Sequence, residues 1–316
     1  MTIRNTVEAD LDTILALIEQ QKSVNTVTHE RYVEYVADGY YRHDWNWVVE
    51  ENGAIQALAI WWGLPDGEHP FSIDGLYYVG DGDGDGDPVP VWTELIKHAV
   101  APRPADAEPP EYHFFLTSDW QDQPDVVAAV EPRAKAAAAA GLTAITDRLR
   151  YEWKPEYGLP PRSTRLRFEP ADDEAFVDVF MQVSQGSLDA ATAREIARVG
   201  VEAAAREELD LYKTMPNSDR AWWRLGYNED GKLIGFAIPS ANAGGPTVGY
   251  LGVLPEHRGH RYIDELLAEI THLHAELGAE HIRADTDFGN VPMAKSFERM
   301  GYRNFAVRRV LSFPES

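Results

Sequence analysis

The 316-residue chain contains no cysteine. Disulfides, thiolate nucleophiles and Cys-ligated zinc are therefore excluded. Its ten histidines form no HExxH pair or similar spacing, so no metal site is expected. No stretch approaches the roughly 18 unbroken apolar residues of a membrane-spanning helix. The opening residues, MTIRNTVEADLDTILALIEQ, put acids where a secretory signal needs bases and a continuous apolar run, and a cytoplasmic location is expected. Positive charge is scarce: 29 Lys and Arg stand against 52 Asp and Glu, a formal net charge of −23. Such a surface repels phosphate backbones and disfavours nucleic acid as a partner. It favours solubility and attracts small cations.

What is present reads as two domains. Hydrophobic residues make up 44% and charged residues 26%, the balance of a globular chain with real cores, and the length suits two units of about 150 residues. The halves repeat one plan. Each opens with a short β-type run, 2–7 and 165–169, followed by apolar residues at helical spacing: Leu11, Ile14, Leu15, Leu17 and Ile18 in one, Phe176, Val179, Phe180 and Val183 in the other. A hairpin pattern follows, 47–61 with Asn52-Gly53 as its turn and 222–236 with Asp230-Gly231. These dipeptides supply the positive φ of a tight hairpin. Strand, helix, strand, helix and closing strand come next, at 71–79, 91–100, 112–116, 126–140 and 144–153, then again at 248–253, 262–277, 281–285, 292–300 and 302–313. The Pro- and Gly-containing segment 155–163 reads as an exposed linker between domains 1–154 and 164–316. The fold class expected is α/β, each half a mixed, mostly antiparallel sheet flanked by helices.

The chemistry concentrates in the second half. Residues 249–267 end an apolar strand at Val253, pass through a Pro and a basic Gly-containing turn, and start an amphipathic helix near Tyr262. The first N–H groups of that helix lack intrahelical partners and, with the helix dipole, suit a pyrophosphate. Arg258 and Arg261 would add charge-assisted contacts. A strand, a turn with Asn290, a helix opened by Pro292 and a Gly301-Tyr302 close follow in 281–302.

Val253-x-Pro255-x-x-Arg258-Gly259, followed by Leu266-Leu267, resembles the acetyl-CoA pyrophosphate loop of the GNAT superfamily of N-acetyltransferases. Asn290-x-x-Met293 with Gly301-Tyr302 resembles that family's second CoA motif. The motifs cover about residues 245–305, and element order alone extends the likeness to the first half. The resemblance implies a tandem GNAT protein. Its pantetheine arm would pair with the strand at Leu251 and Val253, and its pyrophosphate would lie on the loop of Arg258, Gly259, His260, Arg261, Tyr262 and Ile263. Asn290, Met293 and Phe297 would stand near the acyl thioester. The reaction implied is direct attack by an amine on acetyl-CoA, which needs a base and often an acid for the thiolate.

This chain departs from the family pattern at Arg261 and Ile263, where Gly or Ala is usual. Phe297 stands where many members carry an acidic Tyr; Tyr302 or Tyr250 is the candidate replacement. Asp285 is the expected base, with Asp287 on the same strand face and Glu256 and His257 as further candidates; capping a turn is the competing role for such Asp residues. In the first half, the loop position holds the Gly-Asp alternation 80–87, whose carboxylates would repel a pyrophosphate. That half is expected to bind no CoA and to wall the substrate cleft between the halves. Its aromatic residues Tyr40, Tyr41, Trp45, Trp47, Trp61 and Trp62 read mainly as core and in part as cleft lining. The acceptor expected is a small cationic amine: an aminoglycoside, a polyamine, an amino sugar or an amino acid. The alternative is a catalytically impaired protein that binds CoA or a cationic ligand for sensing or sequestration. A monomer or homodimer is expected.

Overall fold

A computed structural model describes every residue except 21–23, 25–26, 81–85, 105–108, 216, 243 and 315–316. Most of the acidic run at 80–87 therefore lies outside the described residues. The chain forms two compact units, Met1–Asp147 with Val307–Ser316, and Arg148–Ala306. The first contains β1 (Thr2–Asn5), α1 (Leu11–Gln20), α2 (His29–Ala37), β2 (Trp47–Glu51), β3 (Ala54–Trp62), β4 (Ser72–Tyr78), α3 (Val89–Val100), β5 (Glu111–Thr117), α4 (Pro124–Ala139) and the start of β6 (Ala144–Trp153). The second takes the rest of β6, then β7 (Arg167–Glu169), α5 (Asp173–Val183), α6 (Ala190–Val199), α7 (Val201–Thr214), β8 (Arg224–Tyr227), β9 (Leu233–Asn242), β10 (Gly245–Val253), α8 (Tyr262–Glu276), β11 (Ile282–Asp287), α9 (Val291–Arg299) and the start of β12 (Arg303–Ser312).

The unit boundary thus runs through β6 and β12, and segment 155–163 lies wholly inside the second unit. That segment is anchored as well as exposed. The Trp153 indole donates to the Gly158 carbonyl at 2.8 Å, and the His272 ring contacts the Pro160 carbonyl at 2.8 Å.

Each unit builds the same sheet. In the first, β1, β2, β3 and β4 pair antiparallel in turn, and β4 meets β5 in parallel at Ser72–Glu111 and Ile73–Tyr112. In the second, β7, β8, β9 and β10 pair antiparallel, and β10 meets β11 in parallel at the single position Thr247–Arg283. On its other side β11 runs antiparallel to β6, from Ile282–Trp153 to Asp287–Arg148. In the first hairpin turn both Asn52 and Gly53 take positive φ; in the second Gly231 does and Asp230 does not.

The second sheet is packed on both faces. Phe176, Val179 and Phe180 of α5 and Leu209 of α7 meet Phe236 and Ile238 of β9 on one. Leu266, Leu267 and Ile270 of α8 and Phe297 of α9 meet Ile282 and Ala284 of β11 on the other. Alternation along β10 sends Tyr250 to the first face and Leu251 and Val253 to the second. In the first unit, burial takes Tyr41, Trp45 and Trp61 into the core, while Tyr40 stacks on the partly exposed Trp62.

The pairing of β9 with β10 breaks between Thr247 and Tyr250, where β10 carries a bulge. Gly249 sits there at φ +68°, and a Cβ would lie 2.3 Å from the Ile238 carbonyl oxygen. Only glycine fits both the angle and the gap. Gly249→Ala is expected to cost about 2–4 kcal/mol, seen as a lower urea midpoint with an unchanged slope.

Candidate active site

The site begins where β10 and β11 part. Beyond Thr247 no ladder position joins them among the described residues, so the facing backbone edges of Leu251–Val253 and of β11 are left without each other. An extended ligand can supply the missing strand.

At the end of β10 the chain turns through Pro255, Gly259 and Arg261 into α8. Gly259 has φ +83° with nothing within 4 Å of a Cβ, and Arg261 takes φ +62°. Left-handed backbone explains why glycine suits position 261; Arg261 bears a cost of roughly 1 kcal/mol there. No side chain caps the start of α8, which leaves its first N–H groups and dipole available to an anion. Ile263 packs on the α8 core. Tyr262 packs there too, beneath the Arg165 guanidinium at 4.5 Å, and Arg165 donates to the His260 carbonyl at 3.2 Å. Asp264, one turn into the helix, is held by Arg299 of α9 through bonds of 2.8 and 2.6 Å.

Arg258 is bound within the protein. Its guanidinium donates to four carbonyls: Val253 at 3.2 Å, Gln185 at 2.8 Å, Gly186 at 3.4 Å and Val183 at 2.6 Å. It ties the loop to the C-terminal end of α5, where helix carbonyls lack partners. Arg261 is exposed and is the cation at the helix start with no side-chain partner among the described residues.

The remaining sequence candidates divide between scaffold and site. Asn290 caps α9, accepting from the Met293 N–H at 3.4 Å, and Met293 packs on the α8 core. Phe297 is buried and stacks on Tyr151 at 4.9 Å. Tyr302 is buried, its hydroxyl 2.8 Å from that of Thr271, and burial pushes its ionisation upward. It packs with Phe297 in the core beneath α8 and α9. The Asp285 carboxylate meets Arg150 at 3.2 Å. Asp287 is a buried cap: it accepts from the Ala190 N–H at 2.7 Å and faces Arg148 at 3.3 Å. Glu256 and His257 lie on the short turn after Pro255.

Tyr250 is the catalytic candidate that reaches a pocket. The cavity, about 30 Å³, is lined among others by Phe180 and Ser184 at the end of α5, Thr192, Glu195 and Ile196 of α6, Glu208 of α7, and Tyr250. Tyr250 stacks on Tyr212 at 6.0 Å and 12°. Burial, with Glu208 and Asp189 nearby, raises its ionisation and keeps it protonated.

Glu208 was not anticipated. Burial, and then the charges of Asp189 and Glu195, push its carboxyl up to about 7, and it has no hydrogen bond or ion pair among the described residues. Its signal was in the sequence: Val201, Ala204, Ala205, Glu208, Leu209 and Tyr212 recur at i, i+3, i+4, i+7, i+8 and i+11. A Glu on that stripe faces the core side of a helix.

Parallel strands that part beside a glycine bulge lead here into a helix with no side-chain cap. Residues 191–302 match the model of the acetyltransferase (GNAT) family. The chain thus carries a GNAT acetyltransferase domain, and the family implies acyl transfer from acyl-CoA. Its fold is similar along the whole length to a GCN5-related N-acetyltransferase from Sphaerobacter thermophilus, with 15% identity, TM-score 0.58, and 100% of this chain and 96% of that one covered. A tandem GNAT protein from the clavulanic acid biosynthesis pathway aligns over 100% and 99% of the two chains at 17% identity and TM-score 0.51. A GCN5-related glucosamine N-acetyltransferase region of a fungal multi-domain GH3 β-N-acetylglucosaminidase aligns with 98% of this chain and 37% of that one, at 10% identity and TM-score 0.55. No curated protein matches by sequence. No helix among the described residues is long and apolar enough to cross a membrane.

The raised Glu208 acid has a thermodynamic signature. Its charged form is penalised in the folded state, so stability falls as pH rises from the ordinary glutamate range through about 7. Glu208→Gln is expected to be more stable than wild type by roughly 2 kcal/mol more at pH 8 than at pH 5, measured by urea unfolding at both pH values.

Proposed function

We propose that the second half of the chain, 164–316, transfers the acetyl group of acetyl-CoA to a small cationic amine, with Glu208 as the general base. The carrying observation is the unpaired Glu208 carboxyl, poised near neutrality in a pocket that Tyr250 of β10 also lines. A base at that poise accepts the ammonium proton and frees the lone pair for attack on the thioester carbon. As the C–S bond breaks, the thiolate needs a proton. Tyr250, held protonated by burial, is the donor in this reading.

The chain's own groups fit the donor substrate. The extended edge at Leu251 and Val253 suits a pantetheine amide chain, and the uncapped start of α8 with Arg261 suits a pyrophosphate. The corresponding helix of the first unit is less suited. There the Asp87 carboxylate already takes the Val89 N–H at 3.0 Å at the start of α3. One acetyl-CoA per chain is the stoichiometry proposed. A poised base favours transfer over sequestration of a ligand, for which an acid of ordinary affinity would serve.

Two measurements test this. Calorimetry is expected to give one acetyl-CoA site per chain, weakened about tenfold or more by Arg258→Glu through loss of the loop anchor; absence of binding by wild type would sink the transferase reading. With an amine acceptor, kcat/KM is expected to rise with pH through about 7. Glu208→Gln should lose roughly 10²–10³ in rate together with that inflection. Asp189, Glu195, Arg148 and Tyr212 are the other titratable groups around the pocket, and an unchanged inflection in Glu208→Gln would move the base elsewhere.

A further inference from the structure

What pushes the Glu208 carboxyl up traces largely to one helix. Thr192, Glu195 and Ile196 of α6 help close the cavity of about 30 Å³ in which Glu208 lies. That space holds about two waters, so α6 keeps the carboxyl nearly dry. The two charges that act on it belong to the same helix: Asp189 is the N-cap of α6 and Glu195 lies along it.

Packing alone holds α6 weakly. It buries no residue fully, and at Gly200, φ +88°, it breaks off from α7. At its C-terminal end Arg198 meets Glu207 at 2.7 Å, an exposed pair that contributes little. The hold at the other end is stronger. There the Ala190 N–H donates to the buried Asp287 carboxylate at 2.7 Å, a charge-assisted bond. Asp287 ends β11 and is faced by Arg148 at 3.3 Å, and Arg148 also faces Asp189 at 3.4 Å.

We propose that Asp287 is a positioning residue for the base: it holds α6 by the Ala190 N–H and so keeps that helix lying over Glu208. The inference rests on the reading of Glu208 as the base and adds how its poise is maintained. The other titratable groups around Glu208 are Tyr212 of α7 and Tyr250 of β10, with Arg198 on Glu195, and Arg148 of β6 and Arg258 behind the tyrosines. Burial keeps both tyrosines neutral. Releasing α6 lets water reach Glu208 and screen Asp189 and Glu195. Both changes lower its affinity for a proton.

Ala190→Pro is the direct test. Proline is well tolerated at the first position of a helix, and it removes the mooring N–H while leaving every charge in place. Glu208 is followed in the full chain by carboxyl-carbon NMR, as the resonance that Glu208→Gln abolishes, with no turnover required. In wild type its midpoint is expected at about 7. In Ala190→Pro it should fall by about one pH unit or more toward the ordinary glutamate range. The α6 amides should then exchange with solvent about tenfold or more faster than in wild type. Asp287→Ala should do the same. Asp287→Asn, whose amide oxygen can still accept from Ala190, should stay closer to wild type than to Asp287→Ala. An unmoved midpoint in Ala190→Pro overturns the proposal. So does an Asp287→Asn midpoint as low as that of Asp287→Ala with α6 exchange unchanged, since charge alone then accounts for the poise. Either outcome leaves Glu208 standing as the base. A wild-type midpoint in the ordinary glutamate range removes that reading and this proposal with it.

Discussion

Two parallel strands that share a single ladder position must satisfy their remaining backbone groups elsewhere, and in the second unit that constraint organises everything near the site. The bulge at Gly249 lets β10 stay paired with β9 while it parts from β11. The parting gives the fork an open backbone edge. It also sets the register of the strand's last residues, so that Tyr250 faces α5 and α7 while Leu251 and Val253 face α8. Gly235 and Gly252 are part of the same arrangement: a Cβ on Gly235 would lie 2.0 Å from the Gly252 carbonyl oxygen, and one on Gly252 would lie 2.3 Å from Val183. Past the bulge, close approach of β9 to β10 and of β10 to α5 thus requires glycine at both positions.

Arg258 carries the consequence onward. Its four carbonyl bonds join the end of β10 to the end of α5 and the turn after it. Ser184 follows directly on α5 and lines the pocket. The loop proposed for the donor and a wall of the pocket proposed for the acceptor are therefore fixed by one guanidinium. Charge delocalised over a planar fork suits this better than a lysine's point charge, because several acceptors lie around it at once.

The fold was largely legible because its signals are local. Asn52-Gly53 and Asp230-Gly231 mark turns, Pro255 and Pro292 stand near helix starts, and the apolar periods of α5 and α8 are strong. The loop before α8 was legible for the same reason. The roles of single side chains were not, since they depend on neighbours distant in sequence. Arg258 looked like an anion ligand and serves carbonyls 72–75 residues away. Asp285 looked like a base and meets Arg150, 135 residues earlier. Glu208 was readable in principle, on the buried stripe of a helix built from small residues, whose alanines give a weak apolar pattern. Its burial works against folding, which is the ordinary relation between a poised acid and the stability of its host.

The division of β6 and β12 between the units has a bearing on how the protein is made. The first unit contains Val307–Ser316, so a chain emerging from the ribosome N-terminus first cannot complete that unit until nearly all of the second has been synthesised. The early half must wait with a sheet edge unfilled, exposed to wrong partners. The second unit, which draws Arg148–Trp153 from β6, has its borrowed strand in hand before its own begins. Translation order therefore favours the half that carries the GNAT domain as the first to close.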